Sequence, residues 1–350
     1  MESIRPVDGK RITIYDIARE AGVSPSTVSR VLNNTVGVRK DKREMVQAII
    51  SKHDFRPNAL ARSLSETNRR TIGIIMPDVR NFYYANLFVA CEQAARRRGY
   101  SLLLENSLSM LENELEQLTL MEEQRVTAII LVGGRVDDLS SNETFVEKVN
   151  QVANTIPVII TGKLDGTSCH QVRIDAIMAM EQTMEHLISL GHRDIAILGG
   201  YNSVASSFEK RQCYKQLLAR HQIPYRSEFC DTFGGYDYET GYTWMNELFS
   251  RDTIPTAVIG INDYATFGAM KSILEHGLHI PDDISVVGFD NINICDIMHP
   301  RLTSVGYNYD DFAEKLVDTA IADTEDTSVP ALQLIASELV LRDSTGPVKK

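Results

Sequence analysis

The stretch TIYDIAREAGVSPSTVSRVLN, residues 13–33, reads as two short amphipathic helices joined by a tight turn. Its apolar or small residues recur at helical spacing in two runs, which are Ile14, Ile17 and Ala18, then Val28, Val31 and Leu32. Each run leaves a polar face, as expected for a helix that packs on one side only. Between the runs, Gly22 tolerates a positive φ, and Val23 is placed to pack between the two helices.

The second helix has a clear start and a polar leading face. Ser24 can cap the helix through its hydroxyl, and Pro25 fits the first helical position, where a missing N–H costs nothing. The exposed face then carries Pro25, Ser26, Ser29 and Arg30. Short or forked side chains at the start of a helix suit entry into the major groove of DNA. Spacing alone equally fits two helices that simply pack together.

Charge is distributed unevenly along the chain. The net charge is −11, but residues 1–70 hold 14 Lys or Arg against 8 Asp or Glu, whereas residues 71–350 hold 22 against 39. A basic N-terminal part can neutralise phosphates and release counterions, while an acidic body is repelled by the duplex. This asymmetry favours DNA binding by the N-terminal part.

The identity of these residues is more specific than their spacing. Residues 13–33, followed by FRPNALA at 55–61, closely resemble the N-terminal headpiece of the lactose repressor and galactose repressor family of bacterial regulators. The resemblance implies a sequence-specific regulator that binds double-stranded operator DNA. The DNA-binding residues it implies here are Thr13, Pro25, Ser26, Thr27, Ser29, Arg30, Asn33, Asn58, Ala61 and Leu64.

Two further headpiece segments follow. Residues 42–52 are predicted to form a third helix, capped by Asp41, and its packing side chains are Met45, Val46, Ile49 and Ile50. Residues 58–64 are too short for a stable isolated helix. The family resemblance implies a hinge that folds on DNA and wedges Leu64 into the minor groove. The alternative is a linker whose Leu60 and Leu64 rest on the next domain.

From residue 71 onward, short apolar runs alternate with helical stretches. Strands are predicted at 72–76, 101–104, 128–132, 158–161, 195–198, 257–261 and 284–289, and helices at 88–98, 178–190, 208–221, 238–250 and 264–276. This alternation indicates parallel sheets with helices on both faces. The layout resembles the periplasmic sugar-binding-protein fold, with two Rossmann-like subdomains.

The predicted fold class is therefore a small all-α helix-turn-helix headpiece plus an α/β body. The expected domains are a headpiece at 11–57, a hinge and linker at 58–70, an N-subdomain at 71–172 plus 309–336, and a C-subdomain at 173–308 plus 337–350. No leucine heptads follow Leu341. Because relatives that tetramerise use such a helix, we expect a homodimer.

Ligands of open α/β sheets sit beyond the carboxyl ends of the strands, so residues just after each strand are candidates for effector binding. The strand-end candidates are Asp78, Tyr83, Tyr84, Asn262 and Asp290, and the family resemblance adds Lys163, Lys210, Arg211 and Tyr236. The resemblance assigns ligand hydrogen bonds to Asn262 and Asp290 and ring stacking to Tyr236. Tyr83 and Tyr84 equally fit a helix start packed on the core, and Tyr236 a surface turn. Gly162 and Lys163 replace the Asp-Arg pair typical of relatives.

The leading hypothesis is a transcriptional repressor that binds a near-palindromic operator and is controlled by a small-molecule effector, a sugar or sugar derivative. One alternative is a catabolite-control-type regulator triggered by a phosphorylated carrier protein. A remote alternative is a sugar-processing enzyme fused to a DNA-binding module. The sequence contains no P-loop, no G-x-S-x-G, no H-E-x-x-H and no G-x-G-x-x-G. We expect no catalytic residues, no enzyme activity, no cofactor and no metal.

Composition is that of an ordinary globular protein, 43% hydrophobic and 24% charged. No apolar run approaches the roughly 18 residues that a membrane span needs, so a cytoplasmic, nucleoid-associated protein without a membrane partner is expected. Five scattered cysteines include no C-x-x-C pair. We expect reduced core thiols rather than disulfides or a zinc site.

Overall fold

The computed structural model describes residues 12–32, 37–53, 55, 70–231, 234–325 and 327–349. They belong to two compact units, Met1–Arg69 and Arg70–Lys350. Throughout these described residues, no helix is both long and apolar enough to cross a membrane. The five cysteines are free thiols; three are buried, and Cys169 and Cys230 are half-buried.

The headpiece is all-α, as predicted. Its helices are α1 (Ile14–Glu20), α2 (Pro25–Leu32) and α3 (Lys40–Lys52). Their shared core consists of Ile17, Ala18, Ala21, Val28, Val31 and Val46. The turn between α1 and α2 places Gly22 at φ 60°, so the predicted positive φ is confirmed.

The predicted start of α3 was wrong. The helix begins at Lys40, so Asp41 already lies in its first turn, and the N-cap residue Arg39 makes no side-chain capping hydrogen bond. Met45 was expected in the core but is 44% exposed, because Val46 occupies the buried position of that turn. Ile49 and Ile50 pack against the core as expected.

The body contains two sheets. Its strands are β1 (Thr71–Met76), β2 (Ser101–Asn106), β3 (Ala128–Leu131), β4 (Val158–Ile160), β5 (His170–Ile174), β6 (Ile195–Leu198), β7 (Ala257–Gly260), β8 (Ser285–Phe289), β9 (Thr303–Tyr307), β10 (Leu332–Ile335) and β11 (Ser337–Val340). The first sheet has the order β10-β5-β4-β3-β1-β2, and the second β11-β9-β8-β7-β6. The strands pair in parallel except β11 with β9, which confirms the predicted sheet class.

Helices cover both faces of each sheet. They are α4 (Phe82–Arg97), α5 (Leu111–Gln124), α6 (Glu143–Ala153), α7 (Ala176–Ser189), α8 (Ala205–Arg220), α9 (Tyr238–Ser250), α10 (Asp263–Glu275), α11 (Ile294–Ile297) and α12 (Tyr309–Thr324). Successive residues of β1 show the arrangement, because Ile74 packs into the core on one face and Ile75 into the core on the other.

The chain passes between the two sheets three times. It leaves the first sheet after β5, returns to it after β9, and crosses again between β10 and β11. We call the first sheet with its helices the first lobe and the second sheet with its helices the second lobe. Strand β5 runs to Ile174, so residues 173 and 174, which were expected in the C-subdomain, pair within the first sheet.

Several elements lacked a clear sequence signal. Helices α5 and α6 and strands β5, β9, β10 and β11 were not predicted as elements. Strand β10 shows why: it lies at a sheet edge, and Leu332 and Leu334 are exposed, so its apolar residues do not mark a buried strand.

Candidate functional sites

The start of α2 forms a small hydroxyl cluster. The backbone N–H of Thr27 donates to Ser24 Oγ at 3.3 Å, which confirms the predicted cap. Ser24 Oγ also lies 2.8 Å from Ser26 Oγ and 2.9 Å from Thr27 Oγ1. Ser26 and Arg30 are exposed, whereas Thr27 is half-buried. The cluster orients polar groups at the leading end of the helix, where base edges are read in helix-turn-helix proteins.

The other predicted DNA-binding residues fall into three groups. Pro25 and Ser29 are half-buried on α2. Thr13 is exposed and caps α1, where its hydroxyl donates to Asp16 Oδ2 at 2.6 Å and its N–H to the same atom at 3.0 Å. Four predicted DNA-binding residues lie outside the described part of the chain: Asn33, Asn58, Ala61 and Leu64.

Tyr15 is a headpiece candidate that the sequence interpretation missed. It lies in the first turn of α1 and is 66% exposed, an unusual position for a large aromatic side chain. The signal was available, because the apolar stripe through Ile14, Ile17 and Ala18 leaves residue 15 on the outer face.

A cavity of about 920 Å³ lies between the two lobes, and we call it the cleft. Both lobes contribute to its walls. The predicted effector-binding residues that line it are Asp78, Tyr83, Tyr84, Lys210, Tyr236, Asn262 and Asp290. The structure thus brings together side chains that are more than two hundred positions apart in the sequence, since Asp78 and Asp290 both line the cleft.

Two predicted effector-binding residues do not line the cleft. The ammonium of Lys163 pairs with Asp165 at 2.9 Å, and the Lys163 side chain is 54% exposed. Arg211 is only 6% exposed and lies behind the cleft wall, where it donates to the carbonyls of Gly199 and Gly200. A forked side chain that holds a glycine turn is a structural support, so both predictions need correction.

Tyr83 and Tyr84 stand at a helix start that packs on the core, and they also line the cleft. Asn81 caps α4 by accepting from the N–H of Tyr83 at 3.0 Å, so the tyrosines stand in the first helical turn. Their ring centroids lie 4.9 Å apart in an edge-on arrangement, and both rings pack against the first-lobe core. Both also line the cleft. Packing on the core therefore fixes the rings that the cleft presents.

Asp290 is held in a conformation that a non-glycine residue rarely adopts. Its φ is 102°. The hydroxyl of Tyr307 donates to Asp290 Oδ1 at 3.0 Å, and the hydroxyl of Tyr309 donates to the Asp290 carbonyl at 3.2 Å. Burial, helped by the nearby Asp263 carboxylate, raises the pKa of Asp290 to about 8. A carboxyl group so constrained and half-buried at a strand end fits a site of function.

Lys210 lies beside Asp290 in the cleft wall. Its Nζ donates to the carbonyl of Ile261 at 3.1 Å and stands 4.2 Å from the ring centroid of Phe289. Burial lowers the pKa of this ammonium, and the charges of Asp290 and Asp137 act in the opposite direction. Lys210 is thus a cation already engaged by protein groups.

Asn262 and Tyr236 form one hydrogen-bonded unit. Asn262 caps α10 by accepting from the N–H of Ala265 at 3.0 Å, and its amide donates to the carbonyl of Tyr236 at 3.0 Å. The Tyr236 hydroxyl lies 2.8 Å from Ser207 Oγ, and its ring packs edge-on against Tyr201 at 5.7 Å. Burial raises the pKa of Tyr236 to about 12. These contacts therefore fix Tyr236 in the wall of the cleft, and the residue is not part of a free surface turn.

The sequence interpretation missed the loop after β3. Residues 133–138 line the cleft almost throughout, and Asp137 reaches the second lobe. Asp137 accepts from the Ser206 hydroxyl at 2.5 Å and from the Ser206 N–H at 3.2 Å. The same strand-end rule that selected Asp78 would have selected this loop, because Gly133-Gly134-Arg135 directly follows a buried strand.

Two more contacts join the lobes beside Asp137. The N–H of Leu139 donates to the carbonyl of Ser203 at 2.7 Å. Arg173 on β5 pairs with Glu209 on α8 at 2.9 Å. The structure therefore shows the lobes connected across the cleft by backbone, hydroxyl and charged groups.

Comparison with known proteins covers both the headpiece and the body. Residues 13–58 match the model of bacterial regulatory proteins of the lacI family, and residues 184–345 match a periplasmic binding protein-like domain. Catabolite control protein A of Priestia megaterium is 33% identical over 84% of this chain and 87% of its own length. The chain belongs to the lacI family. It is a DNA-binding transcriptional regulator, as predicted.

Solved structures show the same architecture for this lacI-family regulator. A crystal structure of the Lac repressor dimer bound to operator and the anti-inducer ONPF matches with a TM-score of 0.86 and 26% identity, covering 96% of this chain and all of that one. A lacI-family regulator from Enterococcus faecium with bound ribose matches with a TM-score of 0.68 and 24% identity, covering 80% of this chain and all of that one. The headpiece and two-lobed body of the predicted fold are confirmed.

Proposed function

We propose that this regulator is a repressor that binds a near-palindromic operator as a homodimer and is controlled by a small sugar or sugar derivative in the cleft. The observation that carries the proposal is the cleft itself, about 920 Å³ and lined by carboxylates, hydroxyls and aromatic rings from both lobes. Polar groups that converge in an aromatic-lined cavity suit a polyol. The Lac repressor relative is described as a dimer bound to operator.

The proposed mechanism is a shift between lobe arrangements. Ligand that contacts both lobes favours the arrangement in which its contacts are complete. In a homodimer, a change in lobe closure would alter the spacing of the two first lobes and so act on the hinge expected at 58–70, a range in which the structure describes only Arg70. DNA affinity follows that equilibrium. The regulator acts in the cytoplasm at the nucleoid and binds its ligand without turning it over.

The experiment is a gel-shift titration of the full chain on the DNA upstream of its own gene, against competitor DNA at moderate salt. Specific binding is expected to survive competition and to weaken steeply with salt, because phosphate contacts release counterions. Equal binding constants for the upstream DNA and the competitor DNA would contradict the proposal. Release of a bound sugar unchanged after incubation checks the absence of turnover.

A second candidate rests on the relatives. Several are named Catabolite control protein A, including those of Priestia megaterium and Staphylococcus xylosus. The trigger in this candidate is a phosphorylated carrier protein, and the cleft is secondary. Adding either candidate sugars or such a carrier to the operator assay separates the two. A response to the carrier alone would favour the second candidate and exclude control by a sugar.

A further inference from the structure

We infer that the ligand of the cleft is a neutral saccharide of at least two rings, rather than a monosaccharide or a sugar phosphate. The inference rests on the proposed function and specifies the class of ligand for the same cavity. Three observations carry it: the pairing of the cationic side chains, the placement of the aromatic rings, and the volume.

Three of the cationic side chains that line the cleft form ion pairs, namely Arg80, Arg135 and Arg173. Among the described lining residues there are four cations and six carboxylates. Arg80 donates hydrogen bonds to the Asp78 carboxylate through Nε and Nη2, with Nη2 at 2.7 Å from Oδ2. Arg135 pairs with Asp138 at 3.0 Å, a contact between residues of one turn.

The two remaining cations are engaged as well. Arg173 donates to both oxygens of Glu209, at 2.9 and 3.2 Å. Lys210 donates to a backbone carbonyl, and the charges of Asp290 and Asp137 act on it. Phosphate recognition uses guanidinium or ammonium groups that can turn their donors toward the anion. A phosphate that bound one of these guanidinium groups would break an existing ion pair.

The polar groups of the cleft are better matched to the hydroxyl groups of a ligand than to a phosphate. The side chain of Asp290 accepts one hydrogen bond, from the Tyr307 hydroxyl. The side chain of Asp137 accepts two, from the hydroxyl and the N–H of Ser206. Both side chains can accept further hydrogen bonds. The Ser207 and Tyr236 hydroxyls form a pair in which either atom can donate. A neutral polyol can donate to the carboxylates and accept from the hydroxyls without displacing an ion pair.

Aromatic rings stand on both walls. Tyr83 and Tyr84 line the first-lobe side, and Tyr201 and Tyr236 line the second-lobe side. The rings within each pair pack edge-on, with centroids 4.9 Å and 5.7 Å apart. Aromatic side chains suit contact with the apolar face of a sugar. One pair on each lobe provides a platform for more than one ring.

The volume of the cleft also favours a ligand of more than one sugar ring. Pockets for small molecules measure about 300–1,000 Å³. At about 920 Å³, the cleft is near the upper end of that range. A single sugar ring would leave most of this space to water, whereas a disaccharide or trisaccharide would fill more of it.

The test is calorimetric titration of the full-length protein with two groups of probes. The first group is maltose, cellobiose, lactose, sucrose, trehalose and maltotriose, and the second is glucose, galactose, fructose, glucosamine and glucose 6-phosphate. At least one probe of the first group is expected to bind at least tenfold more tightly than every probe of the second. Tightest binding by a second-group probe, or no binding by the first group, would overturn the inference.

Variants test the two platforms. Tyr84→Ala and Tyr201→Ala each remove a ring from one wall, and each is expected to weaken the best saccharide at least fivefold. Tyr225→Ala, an exposed tyrosine outside the cleft, is the matched control and is expected to leave the affinity unchanged. An unchanged affinity in either wall variant would contradict a ligand that spans both lobes.

Operator binding, measured in parallel, separates this inference from the proposed function. If glucose or glucose 6-phosphate binds tightest and shifts operator affinity, the inference fails while the proposed function stands. If operator binding lacks sequence preference, the proposed function fails whatever the cleft binds.

Discussion

In the headpiece, most of the described side chains expected to meet DNA stand on α2, a helix of eight residues, whereas the cleft is lined from strand ends and helix starts of both lobes. The exposed groups of α2 follow from helical spacing alone. In the cleft, Asp137 and Asp290 take their positions from Ser206 and Tyr307, which are distant in the sequence.

This contrast teaches that a site on one helix tolerates independent changes, while a site assembled from two lobes does not. Removing Arg30 from α2 should leave the neighbouring side chains in place, because the local helix holds them. Removing one partner in the cleft leaves a buried group unsatisfied and shifts the other lobe. Four measurements can break or sharpen the contrast.

The largest expected effect separates a tertiary glycine from a local one. A Cβ on Gly268 in α10 would overlap the backbone carbonyl of Tyr238 in α9, whereas Gly22 has φ 60° and nothing within 4 Å of a Cβ. Gly268→Ala should lower the free energy of unfolding of the body by about 3 kcal/mol. Gly22→Ala should cost the headpiece about 1 kcal/mol.

Fluorescence of Trp244, the single tryptophan, reports the body during denaturant unfolding, and hydrogen exchange reports the headpiece. Gly22→Ala should leave the Trp244 transition where it is. Equal shifts of that transition in both variants would contradict a local role for Gly22.

The next effect concerns DNA affinity alone. Arg30→Ala removes an exposed fork from α2 and should weaken specific operator binding roughly ten- to hundredfold, because a bidentate base contact contributes about 1–3 kcal/mol. Gel-shift titration gives the binding constant. Arg251→Ala, an exposed arginine of the second lobe, is the matched control. A loss of ligand affinity in Arg30→Ala would argue against independent sites.

A third measurement uses pH. Glu114 on α5 is 4% exposed and accepts from the N–H of Arg135 at 3.2 Å, behind the cleft loop. Burial raises its pKa to about 7, with Asp138 adding to the rise and Arg135 opposing it. Because the folded pKa lies above the unfolded value of 4.5, the folded state holds this proton more tightly.

The free energy of unfolding should therefore fall as pH rises from about 4.5 to about 7, by on the order of 1–3 kcal/mol from this group. Glu114→Gln cannot titrate and should show a flatter profile over that window. Urea unfolding at several pH values measures both proteins. Parallel profiles would show that Glu114 does not carry the dependence.

The smallest effect concerns the cross-lobe bond. Ser206→Ala removes the hydroxyl that donates to Asp137 at 2.5 Å. The change should destabilise the arrangement in which the two lobes are hydrogen-bonded to each other by about 1–2 kcal/mol. Small-angle scattering should show a more open body, and saccharide affinity should fall several-fold. Ser250→Ala, whose hydroxyl bonds only within α9, is the control. No change in either readout would mean that this bond does not hold the lobes together.

Strong periodic patterns were predictable because their signal is local. The stripes of α1 and α2, the Gly22 turn and the strands from β1 to β8 that form continuous apolar runs all appear where expected. Strand β5 and edge strands β10 and β11 were not, because partly exposed short strands carry no such run. Asp41 was misplaced because helix ends depend on only a residue or two of backbone geometry.

Within the cleft, sequence supplied positions but not partners. The strand-end rule found Asp290 and Asn262, yet nothing local distinguishes Lys210, which lines the cleft, from Arg211, which supports the turn behind it. Adjacent residues on a helix point about 100° apart, and only the packing of α8 decides which one faces the cavity.

Sequence by itself determined helix α2, the parallel class of both sheets and the protein family, because each depends on short-range spacing and residue identity. Tertiary structure alone decided which cations remain paired, how Asp137 meets Ser206 and how wide the cleft is. Those properties depend on distances between groups far apart in the chain, and only the packing of the two lobes sets such distances.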